Sequence, residues 1–240
     1  MKYYTHNIAY NNTYTNTIEK IQTFNNKDAI ITFIIPTINR DTLVRALQSL
    51  LNQTIQNWVA IIIFDGCEPT DTKLLDLLDN PKFLFFSIKK VGQFKLRDEV
   101  NNSAGYVRNV GMSLVLTPWI GFLDDDDCLC PSYTEKLLEE IELNKDVELI
   151  LFRMINNKKI IPSLDTTKII QTKCGISYSI KTKLFNEGFI FEQSAIEDFK
   201  LIKNIETSNK KIVISPHITY LVGNSNFIEY IFAPRIYINV

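Results

Sequence analysis

The residues of this chain best suited to chemistry are four consecutive carboxylates, Asp124, Asp125, Asp126 and Asp127, set directly after the apolar run Trp119-Ile120-Gly121-Phe122-Leu123. Four adjacent negative charges repel one another, and holding them at the end of a buried strand is unfavourable without a cation. A hard divalent ion with oxygen ligands relieves that repulsion, and Mg2+ or Mn2+ suits carboxylates. An acidic surface turn is the alternative reading of the same run. A second pair of acids, Glu197-Asp198, stands at the head of a segment with an apolar stripe of Ile196, Phe199, Leu201, Ile202 and Ile205. Acids in a first helical turn complement the helix dipole, so that pair also has a purely structural explanation. Two smaller polar clusters, Pro36-Thr37-Ile38-Asn39-Arg40 and Asp65-Gly66, each close an apolar run.

These groups act together only if the chain brings them to one place. Ala29 to Pro36 and Trp58 to Phe64 are continuous apolar runs rich in β-branched residues, the pattern of strands buried on both faces of a parallel sheet. Phe83 to Ile88, the acid-ended strand at 119–123 and Val147 to Ile155 extend the series, with 158–162 expected to pair with the last as a hairpin. Helices are expected over 41–52, capped by Asn39 or Asp41, then over 74–78, 105–116 and 133–143. The polar stretch 89–103, carrying Lys89, Lys90, Lys95 and Arg97, is expected to be a mobile loop, either simply solvated or closing over an anion. Beyond 160 the pattern weakens, leaving short helices at 181–186 and 195–205 and strands at 212–214 and 218–222. Alternating strands and helices over the first 145 residues predict a doubly wound α/β domain with a mainly parallel central sheet flanked by helices. Ligands of such sheets bind beyond the carboxyl ends of the strands, where Pro36-Thr37, Asp65-Gly66 and the four aspartates all fall. Residues 1–28 read as an N-terminal arm along a sheet edge, and 29–240 as one domain.

Bulk properties narrow the possibilities. The formal net charge is −1 over 240 residues, which gives no bulk attraction for nucleic acid or anionic membrane. No apolar run is long enough to span a bilayer, and the first residues lack the apolar core of a signal peptide. Cys67, Cys128, Cys130 and Cys174 form no paired C-x-x-C pattern, and His6 and His217 are the only histidines, so a zinc centre is not expected. Reduced thiols and a cytoplasmic location follow as the expectation.

Several segments, taken in order, are similar to a known family. They are Ile31 to Arg40, Ile62-Ile63-Phe64-Asp65-Gly66, Val107-Arg108-Asn109-Val110-Gly111, Phe122 to Asp127 followed by Pro131, and Ile196-Glu197-Asp198. Together they resemble the family 2 glycosyltransferases of GT-A (Rossmann-like) fold, with the D-x-D motif at Asp124 and Asp126. The chain departs from the family at Phe64, where an acid is usual, and at Val107, where alanine is usual.

The resemblance implies a metal-dependent inverting transfer of sugar from a nucleotide-diphosphate sugar, with a UDP-sugar the expected donor, to a hydroxyl of a glycan, protein or small-molecule acceptor. It implies a nucleotide-sugar-binding half over 29–130 and a smaller acceptor-binding half over 131–240. Asp126 is then the main ligand of Mn2+ or Mg2+. Asp124 contacts the ribose or donor sugar and shares the metal site, with Asp127 nearby. Asp125 is grouped with the donor-binding acids, though an outward, solvent-facing position is the simpler expectation for it. Asp198 is the catalytic base, with Glu197 orienting it or binding the acceptor. Pro36, Thr37, Arg40, Asp65 and Arg108 are expected around the nucleotide, Arg108 equally suited to bracing the acidic loop. His217 is a candidate late metal ligand, with an ordinary structural role as the alternative. A sugar nucleotidyltransferase fits less well, because Pro36 to Arg40 contains no glycine. A non-catalytic nucleotide-sugar or glycan-binding module remains the other alternative.

Overall fold

A computed structural model describes residues 20–21, 23–24, 28–96 and 99–223. Most of the expected N-terminal arm, Arg97 and the stretch after Gly223 lie outside the described residues. In chain order the strands are β1 (Ile31–Thr37), β2 (Trp58–Asp65), β3 (Phe83–Ile88), β4 (Gln93–Leu96), β5 (Glu99–Asn102), β6 (Trp119–Phe122), β7 (Cys128–Leu129), β8 (Leu149–Asn156), β9 (Lys159–Ile161), β10 (Tyr178–Lys181) and β11 (Ile212–Leu221). The helices are α1 (Leu43–Leu51), α2 (Thr72–Leu78), α3 (Gly105–Met112), α4 (Tyr133–Leu143), α5 (Thr182–Asn186) and α6 (Glu197–Thr207).

One sheet runs β3-β2-β1-β6-β10-β8-β11-β7, with β9 paired to β8, and β4 and β5 form a separate hairpin. Strands β3, β2, β1 and β6 are all parallel. Every residue of β1 and β2 is buried, as their unbroken apolar sequences require of strands covered on both faces. Helix α3 packs so closely on this half that a Cβ at Gly111 would come within 2.7 Å of Ile34 Cγ2 and 2.9 Å of Ile63 Cδ1. Past β6 the sheet changes character. Strand β10 runs antiparallel to both β6 and β8, whereas β11 is parallel to β8. Tyr133 of α4 joins the two parts, with its ring 5.3 Å from Phe33 and 4.8 Å from Phe152, centroid to centroid.

The long apolar elements follow the sequence expectations, and five local expectations are corrected. Helix α1 is not capped by Asn39 or Asp41: its N-cap is Thr42, without a side-chain bond. Asn39 instead adopts φ 63°, and its amide donates to Thr37 Oγ1 at 2.9 Å. Residues 89–103 do not form one long mobile loop, because β4 and β5 pair as an antiparallel hairpin within them. Helix α3 ends at Met112, four residues early, in tight turns (Leu114 N–H to Gly111 O, 3.0 Å; Val115 N–H to Met112 O, 3.3 Å) that lead to Pro118. The two short strands expected after 212 are one strand, whose register shifts between Ile214 and Ile218, around Pro216. Strand β10 was not anticipated, and all but its last residue is buried between β6 and β8.

Candidate active site

The four aspartates leave β6 as a tight turn in which Asp127 N–H bonds Asp124 O at 3.1 Å. A turn of four like charges is tolerable only if the charges point different ways and meet different partners, and they do. Asp125 and Asp127 are buried, whereas the Asp126 side chain is 47% exposed. Asp125 therefore does not face solvent. It accepts from Thr37 Oγ1 at 2.6 Å and pairs with Arg40 at 3.0 Å. Burial pushes its carboxyl upward in pKa, and the Thr37 bond and Arg40 pull against that. Arg40 also reaches Asp126 at 2.7 Å, and an Arg45 guanidinium N–H donates to the Asp126 carbonyl. Asp127 accepts from Gly223 N–H at 2.7 Å and hydrogen-bonds Tyr220. Burial, reinforced by the neighbouring Asp124 charge, raises the Asp127 pKa to about 7.

Asp124 meets Arg108, whose buried guanidinium lies 2.5 Å from Asp124 Oδ1 and 3.2 Å from Glu197 Oε1. Burial opposes the charge on Arg108, but the two carboxylates more than offset it and its proton affinity is raised. One cation thus ties the end of β6 to the first turn of α6, elements far apart in sequence. Asn109, next along α3, acts structurally: its amide donates to Phe191 O at 2.8 Å and accepts from Phe191 N–H at 2.9 Å. Asp65 at the end of β2 is buried and accepts from Val91 and Gly92 N–H at 2.7 and 3.0 Å, with Lys90 Nζ at 2.8 Å. A Cβ at Gly92 would lie 2.5 Å from Asp65 Oδ2, so a side chain there would collide with the carboxylate.

Two cavities of about 380 Å³ each, a size usual for small-molecule sites, share the wall formed by Arg108, Asp124 and Glu197. The first is lined by Pro36, Thr37, Arg40, Asp65, Lys90 and Asp126 among others, so the strand-end clusters do converge. The second holds Asp127, Asp198, Cys174, Gly175 and Tyr220. Asp198 is bound to Phe199 N–H at 2.7 Å through Oδ1. Burial raises its pKa, partly countered by that amide and by Arg108; Glu197 is raised by burial too, with Arg108 opposing.

His217 is the site residue that does not join. Its imidazole faces α4, with Nε2 3.6 Å from Glu139 and 4.0 Å from Glu140, and it lines neither cavity. Among the described residues no group of three or more His, Cys, Asp or Glu side chains is gathered as a metal cage. Arg45 and Tyr220 were missed by sequence reasoning. Tyr220 accepts the Asp124 amide at 3.1 Å across 96 positions, and no local sequence signal carries that contact.

A charged cleft beyond the carboxyl ends of parallel strands, closed on one side by an acid-ended strand, defines a GT-A-like α/β domain. The chain belongs to glycosyl transferase family 2, whose model matches residues 32–206. It is 34% identical over 122 residues to an uncharacterized glycosyltransferase of Haemophilus influenzae, covering 50% of this chain and 37% of that protein. It is 30% identical over 109 residues to the putative glycosyltransferase EpsH of Bacillus subtilis, covering 45% and 29%. The chain thus matches only about a third of these relatives' length. In fold it is similar to S. aureus TarS 1-349 in complex with UDP-GlcNAc, with a TM-score of 0.61 at 18% identity, covering 80% of this chain and 58% of that one. No described helix is long and apolar enough to cross a membrane.

Proposed function

We propose that this domain transfers a sugar, with inversion, from a UDP-sugar to an acceptor hydroxyl, and that the first cavity takes the donor and the second the acceptor. The observation that carries the reading is the shared wall of Arg108, Asp124 and Glu197, which sets Asp198 in the cavity next to the one lined by the strand-end clusters. The solved relative in complex with UDP-GlcNAc supports a uridine donor. In this reading the half 29–130, which supplies most of the first cavity's lining, binds the donor, and the half 131–240, which supplies most of the second's, binds the acceptor.

In this reading Asp198 takes the proton of the acceptor hydroxyl as its oxygen attacks the anomeric carbon. The bond from that carbon to the diphosphate oxygen breaks on the opposite face, and its electron pair leaves with the nucleoside diphosphate. Arg108 and Arg40 place positive charge beside the cavity where that negative charge grows. Asp124 and Asp126 offer hard carboxylate oxygens and fit a divalent cation that takes its other ligands from diphosphate and water, the habit of Mg2+. When bound, that cation would neutralise the departing diphosphate.

The test is release of UDP by the purified chain from a panel of UDP-sugars, with Mg2+ or Mn2+ and with EDTA. Slow, metal-stimulated release with one donor is the expected result. Absence of binding to every nucleotide sugar would sink the reading, and release unaffected by EDTA would remove its metal component.

A further inference from the structure

Beside the second cavity, residues 156–173 pass from the β8–β9 hairpin to the short 3-10 turn at Gln171–Lys173. Asn156, Ile161, Gln171 and Thr172 of this segment line the cavity mouth. The segment carries Lys158, Lys159, Lys168 and Lys173 against a single acid, Asp165, for a net charge of +3 in a chain whose formal net charge is −1. All four lysines are exposed, and none has a carboxylate within 4.0 Å among the described residues. Elsewhere Lys136, Lys183, Lys200, Lys203 and Lys210 each meet a glutamate, whereas Lys73, Lys145, Lys181 and Lys211 share the lack of a carboxylate partner among the described residues; what sets 156–173 apart is four such lysines in one short segment.

The same segment exposes apolar side chains, Leu164 at 62% and Ile170 at 41%. Leu164 is held out by its backbone. The buried guanidinium of Arg153 bonds the carbonyls of Pro162 (2.8 Å), Ser163 and Leu164 (3.3 Å), and the Ser163 and Thr166 hydroxyls bond each other at 2.7 Å. Four exposed lysines against one acid, Asp165, whose charge Lys173 acts on, together with exposed Leu164 and Ile170 in the same segment, are the composition that adsorbs to an anionic bilayer: the cations meet the headgroups and the aliphatic tips enter the interface.

We propose that residues 156–173 form a docking surface for an anionic lipid membrane. Docking there sets the mouth of the second cavity against the bilayer, so the acceptor class it favours is a hydroxyl carried on a membrane lipid. That acceptor clause rests on the proposed transferase reading; the membrane contact does not.

The test is co-sedimentation of the full chain with vesicles of phosphatidylcholine alone or with about one-third phosphatidylglycerol. The expected result is binding to the anionic vesicles only, weakened roughly tenfold or more when salt is raised several-fold, because such attraction is screened. Lys158→Gln, Lys159→Gln, Lys168→Gln and Lys173→Gln combined should abolish it, and Leu164→Ser with Ile170→Ser should weaken it several-fold at low salt. All six residues lie outside the cavity linings, so each variant should keep an unchanged thermal shift with the UDP-sugar, or an unchanged melting temperature if no UDP-sugar binds. Failure of the intact chain to bind anionic vesicles, or equal binding by the lysine variant, overturns the proposal. Membrane binding without UDP-sugar binding would leave the docking surface standing and remove the transferase reading.

Discussion

The two cavities share a wall but differ in how their charges are balanced. In the first, Asp65, Asp125 and Asp126 meet Lys90 and Arg40, each pair within 3.0 Å. In the second, Asp127 and Asp198 have no cation in salt-bridge contact among the described residues, and Arg108 is already divided between Asp124 and Glu197. A buried carboxylate with a partner is held in position, and in Asp125 burial still raises the pKa while the Thr37 bond and Arg40 pull against it. In the second cavity burial likewise raises Asp127 and Asp198, there with backbone amides and Tyr220 as the direct hydrogen-bond partners instead of a salt-bridged cation. The proposed roles follow that difference in partners: a polyanionic donor beside the paired charges of the first cavity, and in the second a carboxylate, Asp198, free of a salt-bridge partner among the described residues.

The most severe break in that comparison is Asp198→Asn. A carboxamide keeps the shape but cannot take the acceptor proton, so transfer should fall about 100- to 10,000-fold, the usual contribution of a positioned base. Binding of the UDP-sugar, read by calorimetry, should be unchanged, because Asp198 lines only the second cavity. Normal transfer by this variant would remove the base assignment. The pH dependence carries a sign as well. Burial raises the folded-state pKa of Asp198, so the charge is disfavoured in the native protein once pH exceeds the unfolded value. Wild-type stability is lost as pH rises through the folded pKa, while the Asn variant has no such loss. The variant should therefore melt higher than wild type near neutrality, with the gap closing as pH falls below the unfolded aspartate value of about 3.9.

Arg108→Met acts on the shared wall. It leaves Asp124 and Glu197 buried or half-buried without their cation, a loss of about 3–5 kcal/mol for a buried pair broken on one side. Denaturant unfolding should show it. Arg108→Lys should recover part of the stability, since an ammonium reaches two carboxylates less well than a planar fork does. A loss no larger than about 0.5 kcal/mol, ordinary for a surface substitution, would show the wall to be less cohesive than its geometry indicates.

How much of this was legible in the sequence follows the same division. Strands β1, β2 and β6 announce themselves because burial on both faces demands unbroken apolar runs, and their polar ends mark the first cavity. The second half is assembled by contacts with no local signature. Strand β10, Tyr178–Lys181, alternates apolar with Ser179, whose hydroxyl is buried against Tyr133 at 3.0 Å. That polar position hides a strand buried in all but its last residue. Tyr220 and Gly223 reach the acid turn from 96 residues away. Asp125 read as solvent-facing because a run of acids normally is, and its partners Thr37 and Arg40 lie at and just beyond the end of the neighbouring strand β1, 88 and 85 positions away in sequence. His217 sits on a strand that reaches the site at Tyr220, yet its own side chain faces α4, a distinction that period-two alternation disturbed by the bulge could not settle.

Asp126→Ala sharpens the donor side. Its side chain is half-exposed, and its partner Arg40 is equally exposed, so stability should change by less than about 1 kcal/mol. Its effect should appear in metal dependence: the Mg2+ or Mn2+ concentration giving half-maximal UDP-sugar binding should rise about 10- to 100-fold, as for loss of a carboxylate ligand or its support. His217→Gln is the matching control and the smallest expected effect. If the imidazole serves only the α4 contact, the metal requirement should stay within about twofold of wild type, and melting should shift by no more than a surface substitution allows, about 0.5 kcal/mol. A metal requirement that moves with His217 as it does with Asp126 would mean that the strand rotates on binding the donor. The two cavities would then not be the independently built halves that their charge balance describes.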